Sequence, residues 1–230
     1  MSFLRAERAA ATSAFGAGGA EPYARALRTD APQLYLHDTA DAGDPRVLDV
    51  ARWSSDADET DLTLLSAVTG PLLDVGCGPG RMVRAALALD IVALGIDISA
   101  AAIEIARGVG LPVVHRSVFD AVPREGRWQT VLLVDGNIGI GGDVPTLLAR
   151  CAELMTPDGE IVVETHPDPH RDARFIGRLA DADGHASAEF PWAEIGLHPL
   201  AAVADRIGLA LRQSWVIGDR GFARLAATRT

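Results

Sequence analysis

The most chemically specific spacing in the chain is Leu72-Leu73-Asp74-Val75-Gly76-Cys77-Gly78-Pro79-Gly80-Arg81. A short apolar run enters a turn of three alternating glycines, and a helical pattern follows. Glycine lets such a turn bend sharply and come close to a ligand with no Cβ in the way. In an open α/β sheet this place is the crevice at the carboxyl ends of the strands. Two residues argue against the pyrophosphate of a dinucleotide. Pro79 removes one N–H that would be wanted, and Arg81 stands where G-x-G-x-x-G asks for its last glycine. Cys77 is a small filler of the motif, since no activating pattern surrounds it. Further on, Asp97 and Ile98 close a second apolar run. Asp135-Gly136-Asn137 and Glu164-Thr165-His166 follow two later apolar runs. They face the same crevice. Among them His166 has the best unperturbed pKa for moving a proton near neutrality. Asp135 and Asn137 fit either substrate contact or a turn held by an Asx hydrogen bond. His166 and His170 are four apart, but Pro167 and Pro169 forbid the helix that would bring them together, so no metal is expected.

Strands alternating with helices must hold these groups in place. Apolar runs at 71–75, 91–96, 112–115, 130–134 and 161–164 predict strands. Helices are predicted over 81–89, after Ser99, and after Asp143, where Leu147, Leu148, Cys151, Leu154 and Met155 form an apolar stripe. Thr156-Pro157-Asp158-Gly159 reads as a turn. A helix over 199–208 and two runs at 209–217 and 222–227 around Gly218-Asp219-Arg220-Gly221 end the pattern with a hairpin. The fold class is therefore α/β, a doubly wound, Rossmann-like sheet of seven strands, mostly parallel, with a C-terminal antiparallel hairpin. Residues 1–20 read as a frayed helix or a disordered arm, and 21–69 as helical pieces and turns without a clean period. The expected division is a substrate-covering segment over 1–69 and a ligand-binding domain over 70–230, with a substrate-side insertion near 166–198. Tyr23, Tyr35, His37, Trp53 and Trp192 are the candidate substrate contacts.

Composition narrows the chemistry. All 21 basic residues are arginine, which excludes a Schiff-base lysine and a phosphate-loop lysine. A net charge of −10 and a pI near 5.0 argue against nucleic acid and anionic membranes as partners. Two cysteines make neither a disulfide framework nor a four-thiolate zinc site. With no signal-peptide pattern and no apolar run of membrane-spanning length, a cytoplasmic chain is expected. The expected partner is a small-molecule substrate, and a homodimer is left open.

The D-V-G-C-G-P-G run, with Asp97 in Gly95-Ile96-Asp97-Ile98-Ser99, resembles the first two motifs of class I S-adenosylmethionine-dependent methyltransferases. The resemblance covers roughly 70–165 and 199–228. It implies S-adenosyl-L-methionine as cofactor and a methyl transfer to oxygen or nitrogen of a small acceptor, specialised metabolism being one setting. It places Asp74 near the methionine ammonium, Gly76, Cys77, Gly78, Gly80 and Arg81 in the cofactor turn, and Asp97 with Ile98 at the ribose. Ser117, Val118 and Phe119 fall near the adenine, whose amino group meets either Ser117 or Asp120. Asp135 falls near the methionine end, and Asp135, Asn137 and His166 are the candidate catalytic residues. A cofactor-binding protein without turnover and a nicotinamide-dependent oxidoreductase are the alternatives.

Overall fold

Residues 33–38 alternate apolar and polar, as a strand with one buried face must. In the computed structural model, which describes residues 14–17, 21–29, 33–41 and 43–228, they form β1 (Gln33–Asp38). A short helix, α1 (Pro22–Ala26), precedes it, and β2 (Arg46–Asp49) pairs with it antiparallel. The stretch expected to hold helical pieces and turns thus contains two strands, followed by α2 (Val50–Ser54) and α3 (Glu59–Ser66). Asp58 and Asp61 start α3 with reciprocal backbone bonds, a capping box. Of the arm read at 1–20, only 14–17 lie within the described residues.

The chain from residue 70 onward follows the expected rhythm. Its elements are β3 (Leu72–Val75), α4 (Arg81–Ala88), β4 (Ala93–Asp97), α5 (Ala100–Gly108), β5 (Val113–His115) and β6 (Trp128–Leu133). A 3₁₀ turn over Asn137–Gly142, α6 (Val144–Leu154) and β7 (Met155–Thr165) come next. In β7 the pairing jumps from Met155 opposite Trp128 to Glu160 opposite Thr130, so the expected turn at 156–159 bulges from the ladder. The expected irregular stretch after it holds two strands, β8 (Asp172–Asp181) and β9 (Phe190–Ile195). Then come α7 (Leu197–Arg206), β10 (Leu209–Ile217) and β11 (Arg220–Ala227).

Seven strands form the main sheet in the order β10-β11-β7-β6-β3-β4-β5. The five from β7 to β5 run parallel, and the β10–β11 pair is antiparallel, as predicted. Alternate residues serve the two faces. Leu73, Val75, Val131, Leu133, Ile161 and Val163 pack under α6 and α7. Leu72, Leu132 and Val162 pack under α3, α4 and α5. Chain order reverses on either side of β3, so the crevice opens above β3, β4 and β6.

A second, four-stranded antiparallel sheet has the order β2-β1-β8-β9. It is assembled from two segments far apart in sequence. Its inner face carries Leu34, Leu36, Leu48, Leu179, Phe190 and Trp192 and covers the crevice. No helix among the described residues is long and apolar enough to cross a membrane.

Candidate functional site

The glycine turn is held against β4 by Gly76 N–H and Cys77 N–H, both donating to Ile96 O at 2.9 and 3.1 Å. Gly76 has φ +73°, and a Cβ there would meet the Asn137 side chain at 2.7–2.9 Å. That side chain donates to the carbonyls of Val75 and Gly76, tying the 3₁₀ turn to the glycine turn. Gly80, at φ +93°, begins α4 and lies 2.5 Å, measured from a notional Cβ, from Leu111. Side chains at either position would break the turn.

Asp97 is fixed at the end of β4 by two backbone donors, Gly78 N–H at 2.8 Å and Ser99 N–H at 2.7 Å. Burial raises its pKa, and these bonds offset only part of the rise. Asp74 is buried, and its Oδ2 has no partner among the described residues. Burial, and then the charges of Asp135 and Asp97, push its carboxyl up to about 8. A buried polar group left unpaired costs about 1–3 kcal/mol. A cation that reaches Asp74 removes that cost, so the pocket fits a ligand with an ammonium beside the glycine turn.

A cavity of about 430 Å³ lies between the glycine turn and the inner face of the small sheet. Asp74, Gly76, Cys77, Gly78, Arg81, Asp97, Ile98, Ser117, Val118, Phe119, Asp135 and Asn137 line it, together with Tyr23, Trp53 and Trp192. Gly80 supports the turn without lining the cavity. Of the two candidates for the amino-group contact, Ser117 lines the cavity and Asp120 does not. The Ser117 Oγ accepts from Phe119 N–H at 3.2 Å. Burial pushes the Cys77 thiol well above its ordinary range, so it holds its proton.

Three expected contacts lie elsewhere. Tyr35 and His37 alternate with Leu34 and Leu36 and therefore point to the opposite, outer face of the small sheet. His166 is a fastening residue beside the cavity wall. Its backbone N–H donates to Ile195 O at 2.8 Å, its Nδ1 accepts from Asp168 N–H at 3.1 Å, and its Nε2 lies 4.0 Å from Glu194. Among the described residues, no histidine lines the cavity. The expected proton acceptor is thus turned away by the β7-to-β9 connection.

Asp135 is in the cavity, but its oxygens are occupied. Arg81 and Arg52 bond it, Arg52 at 2.9 Å, and Arg220 lies at 3.5 Å. Those arginines also hold buried Asp61, Arg220 at 2.7 Å and Arg52 at 3.2 Å. Arg220 grips both oxygens of Glu164, at 2.7 and 2.8 Å, and Glu164 accepts from Asp135 N–H. Three carboxylates and three guanidiniums close a network, with Asp58 at its edge. Arg52, Asp61, Glu164 and Arg220 come from four elements, so no local spacing announces them.

The roof of the cavity is aromatic. Phe15 stands 5.4 Å from Tyr23, 5.6 Å from Phe190, 5.3 Å from Trp192 and 6.2 Å from Trp53, between ring centroids. These are favourable edge and tilted contacts. Burial, then the charge of Asp97, drives the Tyr23 phenol well above its ordinary pKa, so it remains a neutral O–H.

A family model described as "Methyltransferase domain" matches residues 57–193, more than half of the chain. The chain is 38% identical over 108 residues to a ubiquinone biosynthesis O-methyltransferase of Rhodopseudomonas palustris (strain HaA2). That alignment covers 44% of this chain and 42% of the relative, so the match spans well under half the length of that curated protein. A crystal structure of an S-adenosylmethionine-dependent methyltransferase from Bacteroides fragilis, in complex with S-adenosyl-L-homocysteine, superposes with a TM-score of 0.77 at 22% identity. It covers 91% of this chain and 95% of that one. The CcbJ methyltransferase of Streptomyces caelestis superposes with a TM-score of 0.57 at 14% identity, over 77% and 92% of the two chains. The family match over residues 57–193, on the sheet order and glycine turn described above, settles the kinship: the chain belongs to the methyltransferase-domain family and has the fold of the S-adenosylmethionine-dependent methyltransferases it superposes on.

Proposed function

We propose that this chain transfers a methyl group from S-adenosylmethionine to a heteroatom of a small, flat, largely apolar acceptor held beneath the small sheet. One observation carries the reading: the glycine turn with Asp74 and Asp97 shares a single cavity with the Tyr23, Trp53 and Trp192 rings. The cofactor supplies a methyl group already activated on a sulfonium. The chain's own residues bind and orient. Asp97 accepts from the ribose hydroxyls, Asp74 meets the ammonium, and Ser117, Val118 and Phe119 border the adenine. The aromatic roof excludes water and sets the acceptor plane.

A proton acceptor is missing from this account for a structural reason. Arginines occupy Asp135, Tyr23 keeps its proton, and His166 is off the cavity. The nucleophile therefore arrives ready, as an ionised hydroxyl or a neutral amine. Catalysis rests on proximity and alignment, which supply up to about 7–11 kcal/mol. The O-methyltransferase name of the curated relatives supports oxygen as the accepting atom.

Calorimetry tests the binding part. S-adenosylmethionine and S-adenosylhomocysteine should bind, and NAD much more weakly. NAD binding without S-adenosyl binding would overturn the reading. Release of S-adenosylhomocysteine with hydroxylated aromatic acceptors tests turnover.

A further inference from the structure

The inner face of the small sheet is apolar where it roofs the cavity, except at one corner. Arg46 starts β2 and stands opposite Leu36, so it shares the inward face with Leu36 and Leu48, and all three line the cavity. Glu194 of β9 shares the inward face with Phe190 and Trp192. Arg46 Nη1 bonds Glu194 Oε1 at 2.8 Å. On its other oxygen Glu194 already holds Arg171, through Nε at 3.0 Å and Nη2 at 2.9 Å. One carboxylate thus serves two guanidiniums, and the corner carries an uncompensated positive charge. Arg171 does not line the cavity, whereas Arg46 does.

Among the described residues, Arg116 and Arg81 are the other cations on the cavity wall. Arg81 is consumed by Asp61 and Asp135. Arg116 sits at the ribose end, its backbone N–H bonded to Asp97 O. Arg46 is therefore the cation that faces the acceptor from the roof. It can leave Glu194 without stranding that carboxylate, because Arg171 remains.

Resting on the methyl-transfer reading, we infer that Arg46 recognises an anionic substituent of the acceptor, a carboxylate on an aromatic ring. A guanidinium matches a carboxylate in a planar, two-pronged geometry. The ring would lie against Trp53 and Trp192, with its acid group taking the place of Glu194 on Arg46.

Calorimetry on the full chain loaded with S-adenosylhomocysteine tests this. The probes are salicylate against salicylamide, and 3,4-dihydroxybenzoate against its methyl ester. Each acid should bind at least tenfold more tightly than its neutral partner. Arg46→Gln should reduce that preference to below twofold. Glu194→Gln should free Arg46 and tighten acid binding severalfold, whereas a purely structural ion pair predicts looser binding in both variants. If Arg46→Gln fails to fold, the wild-type preference and the sign of the Glu194→Gln effect still decide. Equal affinity for acid and neutral probes, no binding of either acid at millimolar concentration, or an unchanged preference in Arg46→Gln would overturn the inference. If S-adenosylhomocysteine itself does not load, the methyl-transfer reading fails instead.

Discussion

Asp74 and Asp97 sit 23 residues apart and line the same cavity in opposite states. Asp97 is already bonded by two backbone N–H groups, while Asp74 Oδ2 has no partner among the described residues. Asp97→Ala should weaken S-adenosylmethionine binding by about 1.5–3 kcal/mol, the scale of hydrogen bonds to a charged group. Unchanged affinity in a titration would remove Asp97 from the ribose. Asp74 gives a pH signature. Its carboxyl is raised to about 8 in the folded, ligand-free chain, from an ordinary value near 4. Between those values the folded chain holds a proton that the unfolded chain has lost. Its stability therefore falls as pH rises through that window and levels off above it. Glu21, raised to about 7 by burial, acts in the same direction. A ligand ammonium favours ionised Asp74, so cofactor affinity should rise over the same window with release of a proton. Calorimetry in two buffers of different ionisation enthalpy reads that proton, and Asp74→Asn should abolish its release. His166→Ala should leave the maximal rate within about twofold of wild type, since the ring fastens a loop; a tenfold loss would return it to the chemistry.

At the scale of elements, the glycine turn works because α4 and the 3₁₀ turn come very close to it. Gly76→Ala sets a Cβ against Asn137 and places alanine at φ +73°. Both costs fall on the glycine turn that lines the cavity. The variant should lose at least tenfold in cofactor affinity while its main-sheet circular dichroism is kept. The small sheet is also an element-scale device. Its β1 and β2 come from the N-terminal segment and its β8 and β9 from the connection between β7 and α7. Trp192 lies against Gly139 of the 3₁₀ turn and faces the cavity. Trp192→Ala should raise the acceptor KM more than it changes cofactor affinity. Equal effects on both would argue that the roof holds the cofactor instead.

At the scale of the whole molecule, the arginine–carboxylate network joins α2, α3, α4, β11, the end of β7 and the loop after β6 beneath the site. Asp61 is fully buried and bonds Arg81, Arg220 and Arg52, whose charges it shares with Asp135 and Glu164. Removing one partner of a buried ion pair costs about 3–5 kcal/mol, because the other charge is left uncompensated. For a chain of this size each kcal/mol moves the melting temperature by roughly 2–4 °C. Asp61→Ala should therefore lower it by at least about 6 °C, and calorimetric melting checks this. A shift under 2 °C would mean that solvent already reaches the network.

How much was legible follows the range of the forces involved. The parallel sheet, its hairpin end, the glycine turn and Asp97 are readable because each is set within a few residues. A short apolar run bounded by turn residues suits a strand covered on both faces, and alternate glycines allow a tight turn. The small sheet was not readable, although β1 carries its own alternation of Leu34 and Leu36 with Tyr35 and His37. Its pairing partner β8 lies more than 130 residues away, and a single six-residue strand has no face to bury until that partner arrives. The same pairing decides which residues see the cavity. It turns Tyr35 and His37 outward, the β1–β2 pairing carries Arg46 inward, and the bond of His166 N–H to Ile195 O sets that ring beside Glu194. Asp135 shows the limit most plainly. Its residue type fits proton transfer, but three arginines from three distant elements surround it. Residue type and local spacing thus set what groups the chain has for binding its cofactor. Long-range pairing and the screening of one buried charge by another decided which of those groups remain free to act.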